Sequence, residues 1–555
     1  MMLRPWCLRR AVASGPVAWG RLAREWNISD KLARLAWLRG VDHPEDLAWR
    51  LDPSWERSFD PFLMEGMGEA VARVRKALAA KEPILVYGDY DADGVTATAL
   101  LVRVLERLGA TVSFFIPNRF SDGYGLHLDC IRQLAESGKR GLFISVDCGV
   151  NSGAEVEASR ELGIEWIITD HHAMGPELPG AQAVLHPGLG DFPNSHLSGV
   201  GVAFKLAQAL MDATPFPKGG DAAFLDGLLK LVALGTVADM VPLQGENALL
   251  VRRGLAALSG ANAPGLAALL RTAKVEGGVR GQDLAFNVAP RLNAVGRLGG
   301  AEDAVRLLLC RDAAEAATLA ERVEKLNSER RSIQDELTQR LPAPGSEAFD
   351  FVLDADAHKG VIGVVAGTRM RHFARPSAVC TLLDGVAHCS LRAPEGYNLC
   401  ELMDQARPFL LSGGGHRLAG GMSFEPAKLP FIRKVFERGA AEQAILIGVP
   451  PFEVDGDSLD LIPGAAELER LEPFGQGFPA PLVVVEGELL TAPNFFKDRH
   501  CKLRLGRGGD ALTWFSCEVD LAVGSFQRLA VSPMDSTRWG RSWKVETPVA
   551  EGVER

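Results

Sequence analysis

Three acidic residues able to bind a divalent cation follow the first strongly apolar segment of the chain. The run Ile84-Leu85-Val86-Tyr87 leads into Gly-Asp-Tyr-Asp-Ala-Asp-Gly, so Asp89, Asp91 and Asp93 occupy alternate positions. Alternate residues of an extended chain point the same way, which clusters three like charges. Carboxylates this close repel one another unless a cation lies between them, and clusters of oxygen ligands suit Mg²⁺ or Mn²⁺.

Two other interpretations of this segment are a solvated acidic loop and a calcium loop of the EF-hand type. An EF-hand loop that began at Asp89 would need a glutamate at its twelfth position, where the chain has Leu100. The flanking residues also follow a strand pattern and then a helix pattern. Both features argue against a calcium loop.

Further acids and imidazoles end later apolar segments. Asp147 ends one such run, and Asp170-His171-His172 ends the next. Asp147 alone is also suited to cap a helix near Ser152, and paired histidines are more often surface residues than ligands. Because the carboxyl ends of strands in an open parallel sheet line one crevice, we expect these groups to meet Asp89 and Asp91.

One more acid interrupts a long apolar stretch, Ala-Leu-Gly-Thr-Val-Ala-Asp239-Met-Val-Pro. A buried lone carboxylate is costly unless it is paired or bound to a metal, so Asp239 is a fifth candidate ligand. Two cations bridged by shared carboxylates lower the pKa of a bound water and stabilise the attacking and leaving oxygens of a phosphoryl group. The sequence therefore predicts hydrolysis of a phosphoester or phosphoanhydride.

Basic residues occur in two later segments that suit phosphate binding. Arg291 and Arg297 flank the amide of Asn293, and arginine forks make bidentate phosphate contacts. The Gly413-Gly414-Gly415-His416 segment predicts a loop that presents backbone N–H groups to a phosphate. Residues without nearby acids in sequence precede it: Arg369, Arg371, His372, Arg375 and Arg392. The alternative is solvated surface arginines, and a glycine run alone is weak evidence.

Alternating strand and helix patterns position these groups in a first α/β domain at residues 66–275. Several of the apolar runs are apolar on both faces, which indicates a parallel sheet covered by helices on two sides. The predicted strands are Ile84–Tyr87, Thr111–Pro117, Leu142–Asp147, Glu165–Asp170 and Ala181–Pro187.

Three further parts follow this domain. Residues 301–340, rich in Ala, Glu, Arg and Leu and free of proline, predict one long connecting helix. A second, smaller α/β domain then extends to about residue 424. After residue 450, short β-like runs separated by Gly, Pro and Asn predict a small β-barrel.

Basic and aromatic residues interleave in this predicted barrel, with charge suited to a nucleic-acid backbone and rings suited to stacking bases. The alternative is that rings fill the core of the barrel. The basic residues are Lys497, Arg499, Lys502, Arg504, Arg507, Arg528, Arg538, Arg541 and Lys544, and the aromatic residues are Phe495, Phe496, Trp514, Trp539 and Trp543.

Composition restricts the class of protein. A chain of 555 residues predicts about three or four domains. Its 47% hydrophobic and 23% charged residues exclude a disordered or fibrous protein. A net charge of −10 argues against nucleic acid unless basic patches are local. Nine cysteines without a C-x-x-C pair predict reduced, cytosolic thiols.

Neither a membrane segment nor a cleaved leader is expected. Lys230 and Asp239 interrupt the longest apolar stretch, so no membrane partner is predicted. The first forty residues hold eight Lys or Arg against two acids, which is typical of a transit peptide. Trp6, Trp19 and Trp26, without an apolar leader core, favour a basic helical arm instead.

Seven motifs, in order, resemble those of the DHH phosphoesterases, and among them the bacterial single-strand exonucleases. The resemblance extends from about residue 80 to 425 and continues more weakly through Leu471-Glu-Pro-Phe-Gly-Gln-Gly-Phe-Pro479, which is similar to the start of an oligonucleotide-binding (OB) barrel. The motifs are Asp89-Tyr-Asp-Ala-Asp-Gly94, Val146-Asp-Cys-Gly149, Asp170-His-His172, Ser198-Gly-Val-Gly-Val-Ala-Phe-Lys205, Gly235-Thr-Val-Ala-Asp239, Arg291-Leu-Asn-Ala-Val-Gly-Arg297 and Gly413-Gly-Gly-His416.

The resemblance implies a multidomain α/β protein with a parallel-sheet catalytic domain. The expected parts are a basic helical arm at 1–65, a DHH catalytic domain at 66–275, a connector with a long helix at 276–344, a DHH-associated substrate-binding domain at 345–428 and an OB-like barrel at 429–555.

It also implies an exonuclease that removes mononucleotides from single-stranded DNA in the 5′→3′ direction, in the cytoplasm, during DNA repair and recombination. Its cofactor would be Mg²⁺ or Mn²⁺, with two ions, and a helicase and a single-strand-binding protein are candidate partners. The implied metal ligands are Asp89, Asp91, Asp147, His171 and Asp239, and His172 would contact the scissile phosphate or orient the site. The implied phosphate contacts are Arg291, Asn293, Arg297, Arg375, Arg392 and His416, with Gly414 and Gly415.

Three positions depart from the family pattern. Tyr87 stands where some members have histidine, which implies fewer protein ligands for one cation. His186 stands where asparagine is frequent, and His372 where arginine is frequent.

Two alternative functions are a DHH hydrolase of short oligonucleotides or pyrophosphate, and a nucleic-acid-binding replication factor with an inactive DHH domain. Compact relatives of the first kind lack an added barrel. The intact acids and Asp170-His-His172 argue against the second.

Overall fold

The structure is a computed structural model that forms two compact units. The larger unit comprises residues 3–293, 300–321 and 451–555, and the smaller comprises 294–299 and 322–450. The structure describes residues 5–10, 15–119, 122–123, 125–211, 220–447, 451–496, 500–506, 509–515, 517, 521–534 and 542–550. Within these ranges, no helix is long and apolar enough to cross a bilayer.

The N-terminal part is one short strand followed by helices. Ser29 begins the second helix by accepting a hydrogen bond from the N–H of Leu32, as an N-cap serine does. The elements are β1 (Trp6–Leu8), α1 (Gly15–Trp26), α2 (Asp30–Leu38), α3 (Pro44–Leu51) and α4 (Met67–Ala80).

A five-stranded, all-parallel sheet follows, in the order β3-β2-β4-β5-β6. Helices separate most of its strands, as the alternating pattern predicts. All five predicted strands are present, each within a few residues of its expected bounds. The elements are β2 (Ile84–Gly88), α5 (Ala92–Arg107), β3 (Val112–Phe115), α6 (Leu128–Glu136), β4 (Gly141–Val146), α7 (Gly153–Arg160), β5 (Ile164–Thr169) and β6 (Ala183–Leu185).

Mostly helical chain follows the sheet. A stretch of π-helix, Leu284–Val288, precedes α13. The helices are α8 (Gly199–Leu210), α9 (Gly220–Asp239), α10 (Gly245–Leu258), α11 (Pro264–Thr272), α12 (Gly281–Asp283), α13 (Ala289–Leu298), α14 (Ala301–Leu309) and α15 (Ala313–Arg340).

The prediction of one long helix over residues 301–340 is wrong at one point. The chain forms α14 and α15 instead, with a break at residues 310–312. Asp312 begins the second of these helices, α15, because its Oδ1 accepts hydrogen bonds from the N–H groups of Ala314 (3.0 Å) and Glu315 (2.8 Å). Such an N-cap stabilises a new helix start.

The smaller unit is an α/β domain with a five-stranded sheet in the order β10-β11-β9-β8-β7. The expected loop at Gly413–His416 is a strand, because its backbone pairs in antiparallel register with Ala419–Met422. The elements are β7 (Asp350–Leu353), α16 (Ile362–Phe373), β8 (Ser377–Leu383), β9 (Val386–Arg392), α17 (Leu399–Ala406), β10 (Ser412–His416), β11 (Ala419–Phe424) and α18 (Leu429–Ile447).

The prediction that all nine cysteines are reduced thiols is wrong for one pair. Cys380 and Cys389 form a disulfide between β8 and β9. The antiparallel register sets the two residues directly opposite each other, with their Cα atoms 4.0 Å apart. The pairing of the antiparallel strands β8 and β9 brings these two thiols together. No cysteine motif in the sequence marks the pair.

The C-terminal part of the larger unit is a six-stranded sheet in the order β13-β17-β18-β16-β15-β14. All neighbours in it are antiparallel except β16 and β18. The elements are β12 (Phe452–Val454), α19 (Ala465–Leu468), β13 (Val483–Glu488), β14 (Asn494–Phe496), β15 (His500–Leu503), β16 (Leu512–Trp514), β17 (Phe526–Pro533) and β18 (Trp543–Pro548).

The first helices of the chain share one hydrophobic core with this last sheet. Leu32, Leu35 and Trp37 from α2 pack in the same buried cluster as Leu529 and Trp543. β1 also pairs in parallel with β12. The segment predicted as a basic arm therefore packs against the C-terminal sheet, while the predicted domain boundaries stay a prediction.

A buried ion pair joins these two ends of the chain, and its loss should destabilise the larger unit. Arg39 donates from Nη1 and Nη2 to the two carboxylate oxygens of Asp455 at 2.9 and 2.7 Å, and both side chains are at most 1% exposed. We expect Asp455→Ala to lower the free energy of unfolding by about 3–5 kcal/mol, because an unpaired buried cation remains. Urea denaturation followed by tryptophan fluorescence measures this loss.

The matched control is Glu302→Gln, which breaks an exposed helical pair with Arg306. Exposed pairs contribute below about 1 kcal/mol, so this variant should unfold like the wild type. Equal denaturation midpoints for Asp455→Ala and the wild type would contradict the prediction.

Candidate metal centre

Five carboxylates and a histidine pair gather at the carboxyl edge of the parallel sheet. Asp89 follows β2, Asp147 follows β4, and His171 follows Asp170 after β5. These three strands are neighbours in the sheet, so their carboxyl ends lie side by side. Asp239 reaches the same place from the last residue of α9.

The ligand atoms form three overlapping groups, in each of which all atoms lie within 4.8 Å of one another. His171 Nε2 lies 3.1 Å from Asp147 Oδ1, 3.6 Å from Asp239 Oδ2 and 3.9 Å from Asp93 Oδ2. The groups are Asp89–Asp91–Asp147, Asp93–His171–Asp239 and Asp147–His171–His172. The structure thus brings together all six residues that the sequence singles out as catalytic.

Asp93 also belongs to this cluster, although the predicted ligand set leaves it out. Its carboxylate accepts hydrogen bonds from the N–H groups of Gly199 (2.6 Å) and Val200 (3.0 Å), at the start of α8. A helix N-terminus stabilises a negative charge. The sequence signal that identifies Asp93 is its alternate spacing with Asp89 and Asp91.

Two glycines let helices α8 and α9 approach the acids. A Cβ atom on Gly199 would lie 2.4 Å from Asp147 Oδ1. One on Gly235 would lie 2.3 Å from Thr96 Oγ1 and 2.6 Å from Asp93 Oδ1. Any larger residue at either position would therefore displace the carboxylates or the helix.

Asp170 orients the histidine pair. Its Oδ1 accepts hydrogen bonds from the N–H of His171 (2.7 Å) and lies 2.8 Å from His172 Nδ1, while its Oδ2 accepts from the N–H of Val150. The His186 ring holds the same loop, with Nε2 2.8 Å from the His172 carbonyl oxygen and Nδ1 accepting from the N–H of Gly188. Neither Asp170 nor His186 stands among the predicted catalytic residues.

Crowding shifts the pKa values of the acids upward. Burial, followed by the charge of Asp91, raises the pKa of Asp89. Burial and the neighbouring carboxylates also raise the pKa of Asp93 and Asp147, and the pKa of Asp239 rises to about 7. One buried oxygen, Asp89 Oδ1, has no hydrogen-bond partner within the described ranges. These carboxylates therefore fit a divalent cation, which would neutralise their repulsion.

The two imidazoles differ in charge. Burial and the neighbouring charge of His172 lower the pKa of His171 to about 4, so its ring is neutral, as a metal ligand must be. Burial lowers the pKa of His172 too, but the hydrogen bond and charge of Asp170 outweigh it and raise that pKa to about 9. His172 is therefore a cation at neutral pH, suited to a phosphate.

Tyr87 lies in the sheet core on the side of α6 and α7. It is fully buried, its ring contacts Phe115 and Trp166, and its hydroxyl lies 3.4 Å from the carbonyl oxygen of Gly125. Tyr87 acts as a packing residue in this arrangement.

The predicted phosphate contacts near α13 divide into two kinds. Asn293 Oδ1 accepts from the N–H of Ala92 (2.9 Å), which ties α13 to the start of α5 beside the acids. Arg291 is 6% exposed, and its guanidinium donates to the carbonyl oxygens of Asn287 and Thr272. This geometry favours a bracing role for Arg291. Arg297 Nη1 lies 3.4 Å from the carbonyl oxygen of Gly360, within the smaller unit.

In the smaller unit, Arg392 and His416 lie on one row across the sheet, because both are in register with Ala419 of β11. Gly414 and Gly415 precede His416 on β10 and are exposed. Arg375 donates to the carbonyl oxygens of Gly345 and Glu347.

The sequence places no acidic residue close to Arg369. In the fold it forms a buried bidentate pair with Asp350, at 2.7 and 2.8 Å. Such a pair braces the domain and leaves this arginine unsuited to a phosphate.

The C-terminal sheet carries a row of rings. Phe496, His500 and Phe515 form two successive ring contacts, each with centroids 5.5 Å apart. Trp514 and Trp543 are buried in the core, so the core-filling alternative is correct for these two. Lys497, Arg499, Arg507, Arg538, Trp539 and Arg541 lie outside the described residues.

Two regions of the chain match known families. Residues 83–236 match the DHH family, N-terminal domain, and residues 461–530 match the RecJ OB domain. The single-stranded-DNA-specific exonuclease RecJ of Bacillus subtilis is 38% identical over 489 residues, which cover 84% of this chain and 60% of that relative. The chain thus spans less than two thirds of this relative's length.

RecJ of Thermus thermophilus is 36% identical over 519 residues, covering 91% of this chain and 73% of that relative. Its crystal structure with Mn²⁺ superposes with a TM-score of 0.82 and 32% identity, covering 97% of this chain and 78% of that chain. Its structure with Mg²⁺ gives a TM-score of 0.76 and 30% identity, covering 97% and 77%.

The pair of His172 and Asp170 predicts pH-dependent stability in the metal-free protein. The folded-state pKa of His172, about 9, exceeds its ordinary value of 6.5. Its contribution to stability is therefore fully present below pH 6.5 and is lost as the pH rises through 9. We expect the melting temperature of chelator-treated protein to fall over this window more steeply than that of His172→Gln, measured by differential scanning fluorimetry. Parallel curves would contradict the ion pair.

Proposed function

Since this chain belongs to the family of single-stranded-DNA-specific exonucleases RecJ, we propose that it degrades single-stranded DNA from the 5′ end and releases mononucleotides. The observation that carries this proposal is the cluster of acids and one neutral imidazole at the carboxyl edge of the parallel sheet. The intact cluster and the RecJ OB match at residues 461–530 favour an exonuclease over a non-catalytic factor or a compact hydrolase of short oligonucleotides.

We propose Asp89, Asp91, Asp147, His171 and Asp239 as ligands of Mg²⁺ or Mn²⁺, with two ions bound. Divalent cations held by shared carboxylates supply a hydroxide nucleophile and stabilise the oxygens of the phosphodiester. Asp93 lies within the same group as His171 and Asp239 and is held by the N–H of Gly199 at the start of α8.

The remaining residues of the centre hold and orient the reacting groups. Asp170 keeps His171 and His172 in fixed orientations through its hydrogen bonds. The cationic His172 is suited to bind a non-bridging oxygen of the scissile phosphate, where negative charge increases during hydrolysis. Asn293 fixes the N–H of Ala92 at the start of the helix that carries the acids.

We propose that phosphates along the strand contact the smaller unit, where Arg392 and His416 lie on one row across the sheet and Gly414 and Gly415 precede His416 on β10. Arg375 and Arg297, which donate to backbone carbonyl oxygens of the same unit, are further proposed phosphate contacts. In the larger unit, Asn293 and Arg291 support the helix next to the acids.

DNA is a cytoplasmic substrate in bacteria, so we place the reaction in the cytoplasm, in DNA repair and recombination. A helicase that unwinds duplex DNA and a single-strand-binding protein are the proposed partners, because both handle the same single strands.

Digestion of an end-labelled single strand tests the proposed function. With Mg²⁺ or Mn²⁺, the wild type should release a 5′ label as mononucleotide before a 3′ label, and a chelator should stop the reaction. Asp89→Asn and His171→Ala should reduce turnover by more than about 100-fold, beyond the loss caused by removing an outer partner of a metal ligand. Binding of the strand, followed by fluorescence anisotropy, should change little.

The control variant Asp129→Asn removes an acid that is 87% exposed and pairs with the exposed Arg132. It should digest DNA like the wild type. A blunt duplex should resist digestion. First release of the 3′ label would refute the direction, and full turnover by both site variants would refute the catalytic centre.

The ring row of Phe496, His500 and Phe515 should stack bases of the single strand. We expect Phe515→Ala to weaken DNA binding by about 1–3 kcal/mol, the cost of one lost base–aromatic stack. Fluorescence anisotropy in chelator, without hydrolysis, measures this change. Phe62→Ala removes an equally exposed ring far along the sequence and serves as the control. Equal affinities for the two variants would exclude stacking on Phe515.

A further inference from the structure

Asp239 differs from the other candidate ligands in how it is held. Asp89, Asp147 and His171 follow strands of the sheet, whereas Asp239 is the last residue of α9. Its carboxylate accepts no hydrogen bond from the part of the chain that the structure describes. The next residue, Met240, is 67% exposed and has a positive φ of 62°. The position of Asp239 is therefore set by the end of α9 together with the backbone that follows it.

That backbone, residues 240–244, is held by two segments that are distant in sequence. The first is α3, which carries Arg50, and the second contains Gln476 and Gly477. The N–H of Leu243 donates to the carbonyl oxygen of Gln476 (2.8 Å), and the carbonyl oxygen of Leu243 accepts from Nη2 of Arg50. Gln244 Nε2 donates to the carbonyl oxygen of Gly477 at 2.8 Å. Both polar backbone groups of Leu243 are thus bound by residues about two hundred positions away in sequence.

The second segment is Leu471–Pro479, here named the bracing loop, which precedes the C-terminal sheet. A Cβ atom on Gly475 would lie 2.7 Å from Leu243 Cδ1. Gly477 has a φ of +72°, and a Cβ atom there would lie 3.2 Å from Pro242 Cβ. Two glycines therefore allow the bracing loop to pack directly on the residues that follow Asp239.

The bracing loop is itself fixed by arginines. Arg50, which is 3% exposed, also donates from Nη1 to the carbonyl oxygens of Leu471 (2.8 Å) and Pro473 (2.7 Å), and its guanidinium lies 3.5 Å from the ring centroid of Phe478. Arg252 Nη1 donates to the carbonyl oxygens of Glu469 and Arg470, just before the loop, and of Glu472 within it. Such a network makes the loop a fixed support.

We propose that Arg50 and the bracing loop position the Asp239 carboxylate at the metal centre. The inference rests on the proposed role of Asp239 as a ligand. Arg50, Gln244 and Gly477 are positioning residues that act through the backbone of residues 242–244. The same loop leads within a few residues into β13, so the C-terminal sheet and the metal centre share one support.

Titration of the protein with Mn²⁺ alone, followed by electron paramagnetic resonance of free Mn²⁺, tests this inference without activity. We expect Gly477→Ala and Gln244→Met each to weaken Mn²⁺ binding by about tenfold, the low end of the loss for a direct partner of a metal ligand, because both act on Asp239 only through the backbone. Their kcat on a single-stranded oligonucleotide should fall at a fixed Mn²⁺ concentration, while KM for the oligonucleotide stays unchanged. The melting temperature of Gln244→Met should also stay unchanged, whereas Gly477→Ala should lower it because its backbone has a positive φ.

Gly464→Ala is the matched control, since a Cβ atom there meets no atom within 4 Å. It should bind Mn²⁺ like the wild type. Gln244→Met removes one exposed hydrogen bond, so it remains informative if Gly477→Ala fails to fold.

The variant Asp239→Asn distinguishes the role of Asp239 as a metal ligand from the positioning role of the bracing loop. Weaker Mn²⁺ binding by Asp239→Asn, with wild-type binding by Gly477→Ala and Gln244→Met, would overturn the bracing role alone. Unchanged Mn²⁺ binding by Asp239→Asn would overturn the ligand role and the inference with it.

Discussion

The repulsion between buried carboxylates is the main physical constraint on the fold of the larger unit. Asp89, Asp93 and Asp147 are each at most 3% exposed and stand within a few ångströms of further acids. Backbone N–H groups hold one of these acids and a neighbour in place: those of α8 bind Asp93, and Asp91 caps its own helix by accepting from the N–H groups of Asp93 and Gly94. The fold thus fixes like charges that would otherwise separate, and so prepares a place for cations.

The helices around the sheet serve this arrangement through small residues. Gly199 and Gly235 allow α8 and α9 to lie against the acids. Asp170 binds the backbone of His171 and the ring of His172, so it fixes the loop that carries these two imidazoles of different charge. The neutral ring faces the carboxylates, and the cationic ring is half-buried beside them. For His172, the hydrogen bond to Asp170 therefore sets both position and charge, whereas burial and the charge of His172 keep His171 neutral.

Local patterns predicted the sheet and most of the centre, because acids at the ends of adjacent parallel strands must converge. What escaped prediction depends on strand register, on a helix cap and on one partner that is distant in sequence. The anchoring of Asp93 needs the start of α8, and the disulfide of Cys380 and Cys389 needs the register of β8 and β9. The break at Asp312 and the pairing of the glycine strand with β11 likewise follow from a single cap and from strand pairing that no periodicity reveals.

The shared core of α2 and the C-terminal sheet has a consequence for biosynthesis. During translation, the apolar faces that hold Leu32, Leu35 and Trp37 are made about five hundred residues before their partners Leu529 and Trp543. A nascent chain exposes such surface until those later strands leave the ribosome, which is the condition under which chaperones bind and aggregation starts. This core can therefore close only after both sheets and the intervening helices have been synthesised.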